Sequence, residues 1–169
     1  MPHRWLVDQH VATSPPLRCA LVTDFAALPF AAASLDLVVL PHALERSADP
    51  HACLREVERV LIPEGHVLIT GFNPLSLWGW HQSGALRRQG VGHGLGQSLI
   101  AYRRLRDWLR LLGFEVQVSR FGGWAPALGS ERWMQRLQWM DKLGERWWPI
   151  FGGVYLVMAT KRVPGGRLL

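Results

Sequence analysis

The feature that most constrains the fold is a strand–helix–strand unit in the middle of the chain. Two apolar runs of strand length, Leu35–Leu40 and His66–Phe72, flank a segment whose apolar residues recur at helical spacing. Asp49 is a good N-cap residue and Pro50 suits the first helical position, so we predict that the helix begins at Pro50, includes Leu61 and is ended by Pro63 and Gly65. Because such crossovers are right-handed and make the two strands parallel neighbours, the unit predicts an α/β fold.

The rest of the chain extends this pattern. Cys19–Thr23, like Leu35–Leu40, is apolar at nearly every position, which is typical of a parallel sheet covered on both faces. We expect these two runs and Val67–Phe72 to share one sheet. Later segments predict, in chain order, a helix over 98–112, a half-exposed strand near a sheet edge over 114–119, a helix over 131–147 and a last strand over 153–161. The prediction is one three-layer α/β domain over residues 1–162, followed by a frayed tail over 163–169.

Composition excludes several classes of protein. Hydrophobic residues make up 49% of the 169 residues and charged residues 19%, so the chain is not a disordered tail. Two cysteines form neither a disulfide framework nor a metal cluster, so no metal site is expected and a reduced, cytoplasmic location is the default. We expect no signal peptide, since the apolar stretch that follows Arg4 breaks at Asp8.

The basic charge leaves a second class of function open. The net charge is +6, which permits contact with nucleic acid or an anionic membrane, although the arginines are scattered. The segment 131–148 combines tryptophans with cations at helical spacing. It predicts either a core helix that covers the sheet or, as the alternative function, a non-catalytic module that binds a membrane surface or a macromolecule.

A run of about 50 residues resembles a known family. The matching pieces lie in the family's order and at its spacing: Asp24 with Leu28-Pro29-Phe30, the strand Ser34–Val39, His42–Glu45, the helix 54–61, and Pro63-Glu64-Gly65. The run is similar to the second half of the class I S-adenosylmethionine-dependent methyltransferases, in their small-molecule type. The resemblance implies a Rossmann-like, mostly parallel sheet with an antiparallel final strand, S-adenosylmethionine as cofactor, and a small-molecule acceptor whose identity the sequence leaves open.

The resemblance also implies the site residues. An acid at the position of Asp24 accepts a hydrogen bond from the adenine amino group, and Phe25 would flank the ring. The turn Leu40-Pro41-His42 would lie along the methionine part of the cofactor. A histidine at position 42 could act as a base, because histidine changes protonation state near neutral pH. Asp8 resembles the acid that binds the ribose hydroxyls.

One part of the family pattern is missing. The family's glycine-rich first motif should precede Asp8 or Asp24, and no strand–glycine turn–helix unit fits there. The expected fold is therefore incomplete at its N-terminal side, through a shortened start, a misassigned start codon or a degenerate site, and we expect weak or absent methyl transfer by these residues alone. The glycine series Gly90–Gly96 follows no strand, so it is interpreted as a mobile loop. The oligomeric state is not predicted.

Overall fold

The structure is a computed structural model that describes residues 7–8, 21–76, 99–124 and 151–162. The elements in these ranges are β1 (Val7–Asp8), β2 (Leu21–Val22), β3 (Leu35–Pro41), α1 (Ala43–Arg46), α2 (Pro50–Val60), β4 (Leu61–Phe72), α3 (Tyr102–Leu111), β5 (Phe114–Gly122) and β6 (Val154–Lys161). The predicted helix over 131–147, the glycine series Gly90–Gly96 and the tail over 163–169 lie outside the described residues.

Four strands form the main sheet, in the order β3-β4-β6-β5. Strand β3 is parallel to β4, and β6 is antiparallel to both of its neighbours, β4 and β5. Three of these strands therefore run in one direction, and the last strand in the chain runs against them. The predicted Rossmann-like α/β fold with an antiparallel final strand is confirmed, as is the edge position of the strand that begins at Phe114.

One expectation about the sheet is wrong. The apolar run 19–23 does not join the main sheet, because Leu21–Val22 pairs in parallel with Val7–Asp8 in a separate two-stranded sheet. No described strand pairs with both this sheet and β3, so the two sheets are separate among the described residues. The outer edge of β3 is correspondingly open among the described residues, and Leu37 and Val39 are 55% and 49% exposed.

Helix α2 begins as predicted. The Asp49 side chain accepts a hydrogen bond from the Ala52 N–H at 3.0 Å, and Pro50 occupies the first helical position. The helix ends earlier than predicted, at Val60, because Leu61 already pairs with the first residue of β3. The register then shifts, because Leu35 pairs with Leu61 and Leu37 pairs with His66, which leaves the extra residues on β4.

Among the described residues, the core lies on one face of the main sheet. Alternate residues of the central strands are fully buried, among them Val67 and Ile69 on β4 and Val157 on β6. They belong to one apolar cluster with Leu54 of α2 and Leu105 of α3. Because all these strand residues point to the same face, both helices cover that face. Among the described helices, none is long and apolar enough to cross a membrane.

Candidate functional site

Strands β3 and β4 end side by side, and His42 follows directly after β3. Its backbone N–H donates to the Thr70 carbonyl oxygen at 3.1 Å, which extends the pairing of the two strands by one residue. Its φ of 51° lies in the left-handed region, which turns the chain sharply into α1. In open α/β sheets, ligands bind beyond the carboxyl ends of the strands, so His42 stands where such a site is formed.

The His42 ring is held on two sides. Its Nδ1 atom lies 3.1 Å from Oε2 of Glu45, three residues along the chain. Its face lies on the Phe72 ring, with 4.3 Å between the ring centroids and 30° between the planes. The side chain remains 35% exposed. The ring is therefore fixed in place and still open to a ligand.

Glu45 connects β3 to the end of β4. Its Oε1 atom accepts a hydrogen bond from the backbone N–H of Phe72, while Oε2 faces His42. Burial, followed by the charge of Glu45, raises the pKa of the Tyr155 phenol. Tyr155 therefore remains a neutral phenol at neutral pH.

Asp24 lies just beyond the end of β2, in a turn that it helps to form. Its Oδ1 atom accepts from the Ala26 N–H at 3.0 Å, and its backbone carbonyl accepts from Ala27. The side chain is exposed. Phe25, the next residue, is only 9% exposed and packs in the same cluster as Leu40.

The loop after Asp24 is anchored to α2. Glu56 accepts from the Leu28 N–H, and the Arg59 guanidinium donates to the carbonyls of Leu28 and Phe30. Arg59 also binds Glu56 at 2.8 Å, and this hydrogen bond is the main reason that the Glu56 pKa lies below its ordinary value. These contacts fix the path of the chain from β2 to β3 and with it the position of Asp24.

The structure places the sequence-predicted residues in two groups. Leu40, Pro41 and His42 lie together at the end of β3; Leu40 is buried, Pro41 is exposed and His42 is half-buried. Asp24 and Phe25 follow β2, and Asp8 ends the neighbouring strand β1, where it pairs with Val22. The buried side chains of Phe25 and Leu40 connect the two groups through the core.

Sequence reasoning missed the partners of His42. Glu45 appeared only as part of the family resemblance, and Phe72 only as the end of a strand. The spacing of His42 and Glu45 was the available signal, because residues three apart share one face of a helix. The helix that brings them together has only four residues and shows no apolar periodicity.

A concave surface lies beside the start of β5, at the end of the sheet opposite His42. A cavity of about 580 Å³ is lined by Arg106 and Arg110 of α3, by Glu115 near the start of β5 and by Arg162 after β6. Arg162 is engaged by Glu115. None of the predicted site residues borders this cavity. The described residues also contain no group of three or more His, Cys, Asp or Glu side chains that could hold a metal ion.

Comparisons with known proteins show which families and folds the chain resembles. Residues 6–69 match the family model described as a methyltransferase domain. The chain is 42% identical over 95 residues to the uncharacterized protein YafS of Escherichia coli (strain K12), an alignment that covers 56% of this chain and 39% of that protein. This chain thus spans less than half the length of that curated relative.

Solved structures share the fold at low identity. A chain of the complex between the Trm112 methyltransferase activator and a methyltransferase of Haloferax volcanii aligns with a TM-score of 0.60 at 21% identity, over 90% of this chain and 66% of that chain. A SAM-dependent methyltransferase of Thermotoga maritima aligns with a TM-score of 0.61 at 17% identity, over 85% and 65%. The [4+2]-cyclase SpnF aligns with a TM-score of 0.53 at 18% identity, over 86% and 57%.

These findings confirm the resemblance to the class I S-adenosylmethionine-dependent methyltransferases, and the chain has their fold. The matched residues 6–69 include Asp8, Asp24 and His42. The likeness to a cyclase shows that the same fold also serves other chemistry, so the activity has to be argued from the site itself.

Proposed function

We propose that this chain is an S-adenosylmethionine-dependent methyltransferase that acts on a small-molecule acceptor in the cytoplasm. The observation that carries the proposal is the placement of Asp24 and His42 at strand ends within the residues that match the methyltransferase-domain model. Open α/β sheets bind their ligands at such ends.

The residues present fit the adenosine part of this cofactor. Asp24 is exposed, and only its Oδ1 atom accepts a hydrogen bond from the described residues. Its second carboxylate oxygen can therefore accept from the adenine amino group. Asp8, at the end of the parallel neighbour of β2, is the proposed partner of the ribose hydroxyls. Phe25 would flank the adenine through the small part of its ring that remains exposed.

The end of β3 is the proposed boundary between the cofactor and the acceptor. The turn Leu40-Pro41-His42 would lie along the methionine part, with the Leu40 side chain held in the core. The bound cofactor supplies a methyl group on a positively charged sulfur, which is already electrophilic. What remains for the chain is to align the acceptor and, where the acceptor carries a proton, to take that proton up. His42 is the described side chain at this edge that is suited to the second task.

The alternative function, binding of a membrane surface or macromolecule through the segment 131–148, concerns residues outside the described ranges. No described contact favours it over the methyltransferase proposal.

Cofactor binding by the purified chain tests the proposal. Isothermal titration calorimetry with S-adenosylmethionine should give a binding signal, and the melting temperature should rise with cofactor concentration because the ligand binds the native state. Asp24→Ala should weaken binding roughly ten- to a hundredfold, as expected when a charge-assisted acceptor is lost.

The matched control is Asp36→Ala. Asp36 is also an exposed aspartate, but it is the second residue of β3 and lies at the end of that strand opposite His42. Its replacement should leave the affinity unchanged. Absence of heat and of thermal stabilisation at millimolar cofactor in the wild-type chain would contradict the proposed function, and equal affinities of the two variants would contradict the role of Asp24.

A further inference from the structure

Glu45 is a buried carboxylate that takes no part in the cofactor contacts proposed above. Its side chain is only 5% exposed. Among the described residues, its hydrogen-bond partners are the His42 ring and the backbone N–H of Phe72, and no lysine or arginine pairs with it. Burial of a carboxylate costs free energy unless its oxygens accept hydrogen bonds. The role of Glu45 therefore follows from its contacts with His42 and Phe72.

The two contacts determine which nitrogen of His42 carries the proton. An ionised carboxylate only accepts hydrogen bonds. Oε1 accepts from the Phe72 N–H, and Oε2 lies 3.1 Å from Nδ1 of His42, so Nδ1 must be the donor. In a neutral imidazole, Nε2 then carries the free lone pair. Nε2 has no hydrogen-bond partner among the described residues, and the ring is partly exposed.

The ring orientation is fixed as well. The His42 backbone is held by its hydrogen bond to Thr70, and the ring lies on Phe72 at a centroid distance of 4.3 Å. Phe72 is also the residue whose N–H binds Glu45. Phe72, at the end of β4, therefore holds both His42 and Glu45 in place.

We propose that Glu45 is a positioning residue that holds His42 in the Nδ1–H tautomer, so that Nε2 serves as the general base for an acceptor that loses a proton when it is methylated. This inference rests on the proposed function and extends it to the substrate class: a hydroxyl, a thiol or an N–H acid. An acceptor without such a proton would gain nothing from the pair.

The proposed step balances as follows. The acceptor heteroatom uses its electron pair to form a bond to the methyl carbon, and the carbon–sulfur bond breaks with its electrons going to sulfur. The acceptor proton passes to Nε2 of His42. The resulting imidazolium is stabilised by the Glu45 carboxylate through Nδ1–H, as in other carboxylate-oriented histidine bases.

The tautomer can be measured without cofactor or acceptor. In the purified wild-type chain labelled with ¹⁵N-histidine, long-range ¹H–¹⁵N spectra distinguish the two tautomers, and a His42→Asn sample assigns the signal. We expect the Nδ1–H form of His42 to exceed the other form by roughly tenfold or more, because its hydrogen bond is charge-assisted. A dominant Nε2–H form in the wild-type chain would overturn the proposal.

Glu45→Gln provides a sharper second test. A glutamine offers one acceptor oxygen and one NH₂ group, and the Phe72 N–H, fixed in the backbone, requires the oxygen. The NH₂ group would then face Nδ1 of His42, which must become the acceptor, so the tautomer should invert to Nε2–H. A folded Glu45→Gln variant that keeps the Nδ1–H form would contradict the positioning role.

The matched control is Glu64→Gln. Glu64 is an exposed glutamate near the start of β4, at the end of the sheet opposite His42. The substitution should leave the His42 tautomer unchanged, and a tautomer shift in this variant would also count against the proposal. The tautomer result is independent of cofactor binding. If the expected tautomer is found but no cofactor binding is measured, only the methyltransferase assignment is contradicted. If the cofactor binds but the tautomer is the other one, only the role of Glu45 is contradicted.

Discussion

The side chain of Tyr155 occupies the space that a Cβ atom on Gly71 would need. The two residues are register partners on β4 and β6, and a ring carbon of Tyr155 lies 2.9 Å from the ideal Cβ position, closer than real Cβ contacts come. Gly71 directly precedes Phe72, which holds both His42 and Glu45. The close packing of β4 against β6 at Gly71 therefore helps to fix the position of Phe72 beside His42 and Glu45.

Gly71→Ala should destabilise the chain. The tyrosine side chain is fully buried, so the added methyl group overpacks the strand pair at a cost of about 1–3 kcal/mol. The measurement is the free energy of unfolding from urea denaturation. The matched control is Gly122→Ala at the end of β5, where an added Cβ meets nothing within 4 Å. Equal unfolding free energies of the two variants would show that the strand contact is looser than described.

Asp49 should make the stability of the folded chain fall at acidic pH. Its pKa is lowered from the ordinary value of 3.8, chiefly by the hydrogen bond from the Ala52 N–H. A carboxyl whose pKa is depressed in the folded state stabilises that state above its unfolded pKa, and the contribution is lost as the pH falls through the folded pKa.

The variant Asp49→Asn isolates this effect, because asparagine also caps helices and does not titrate. Between about pH 6 and about pH 3, the melting temperature of the wild-type chain should fall further than that of the variant. Parallel curves for the two proteins would show that the cap contributes no pH dependence.

Cys53 should be unreactive in the folded chain. Burial, followed by the nearby carboxylates of Asp24, Asp49 and Glu56, raises the pKa of its thiol to about 12. Because the thiolate is the reactive form, a thiol reagent at about pH 8 should label native Cys53 roughly a thousandfold more slowly than the unfolded chain. The experiment uses a Cys19→Ser background so that one thiol remains. Native labelling within tenfold of the unfolded rate would mean that this part of the core opens readily.

The sequence predicted the elements that depend on local patterns. The start of α2 follows from Asp49 and Pro50, since capping involves neighbours in the chain. The boundary between α2 and β4 was misplaced, because Leu61 begins a strand only through its pairing with distant Leu35. The partner of Leu21–Val22 could not be predicted either, since strand pairing depends on which other strands are present.

The same division applies to the site. The positions of Asp24 and His42 at strand ends were accessible to sequence reasoning, because strand ends follow from apolar runs. The pairing of His42 with Glu45 depends on a left-handed backbone at His42 and on the N–H of Phe72, 27 residues beyond Glu45. The spacing of His42 and Glu45 was a local signal, but no local pattern encodes the contact with Phe72, so the whole arrangement emerged only from the folded chain.

The central claim is that the cofactor binds at the carboxyl edge of the strands. Backbone NMR of the purified chain during titration with S-adenosylhomocysteine tests it most directly. Binding at this edge should shift the amide signals of Asp24–Ala26 and Leu40–Ala43. The amides around Arg106, Arg110 and Glu115 should not shift. These residues line the basic cavity at the other end of the sheet, which offers a competing site. Shifts confined to the residues of the basic cavity, or no shifts at millimolar ligand, would contradict cofactor binding at the carboxyl ends of the strands.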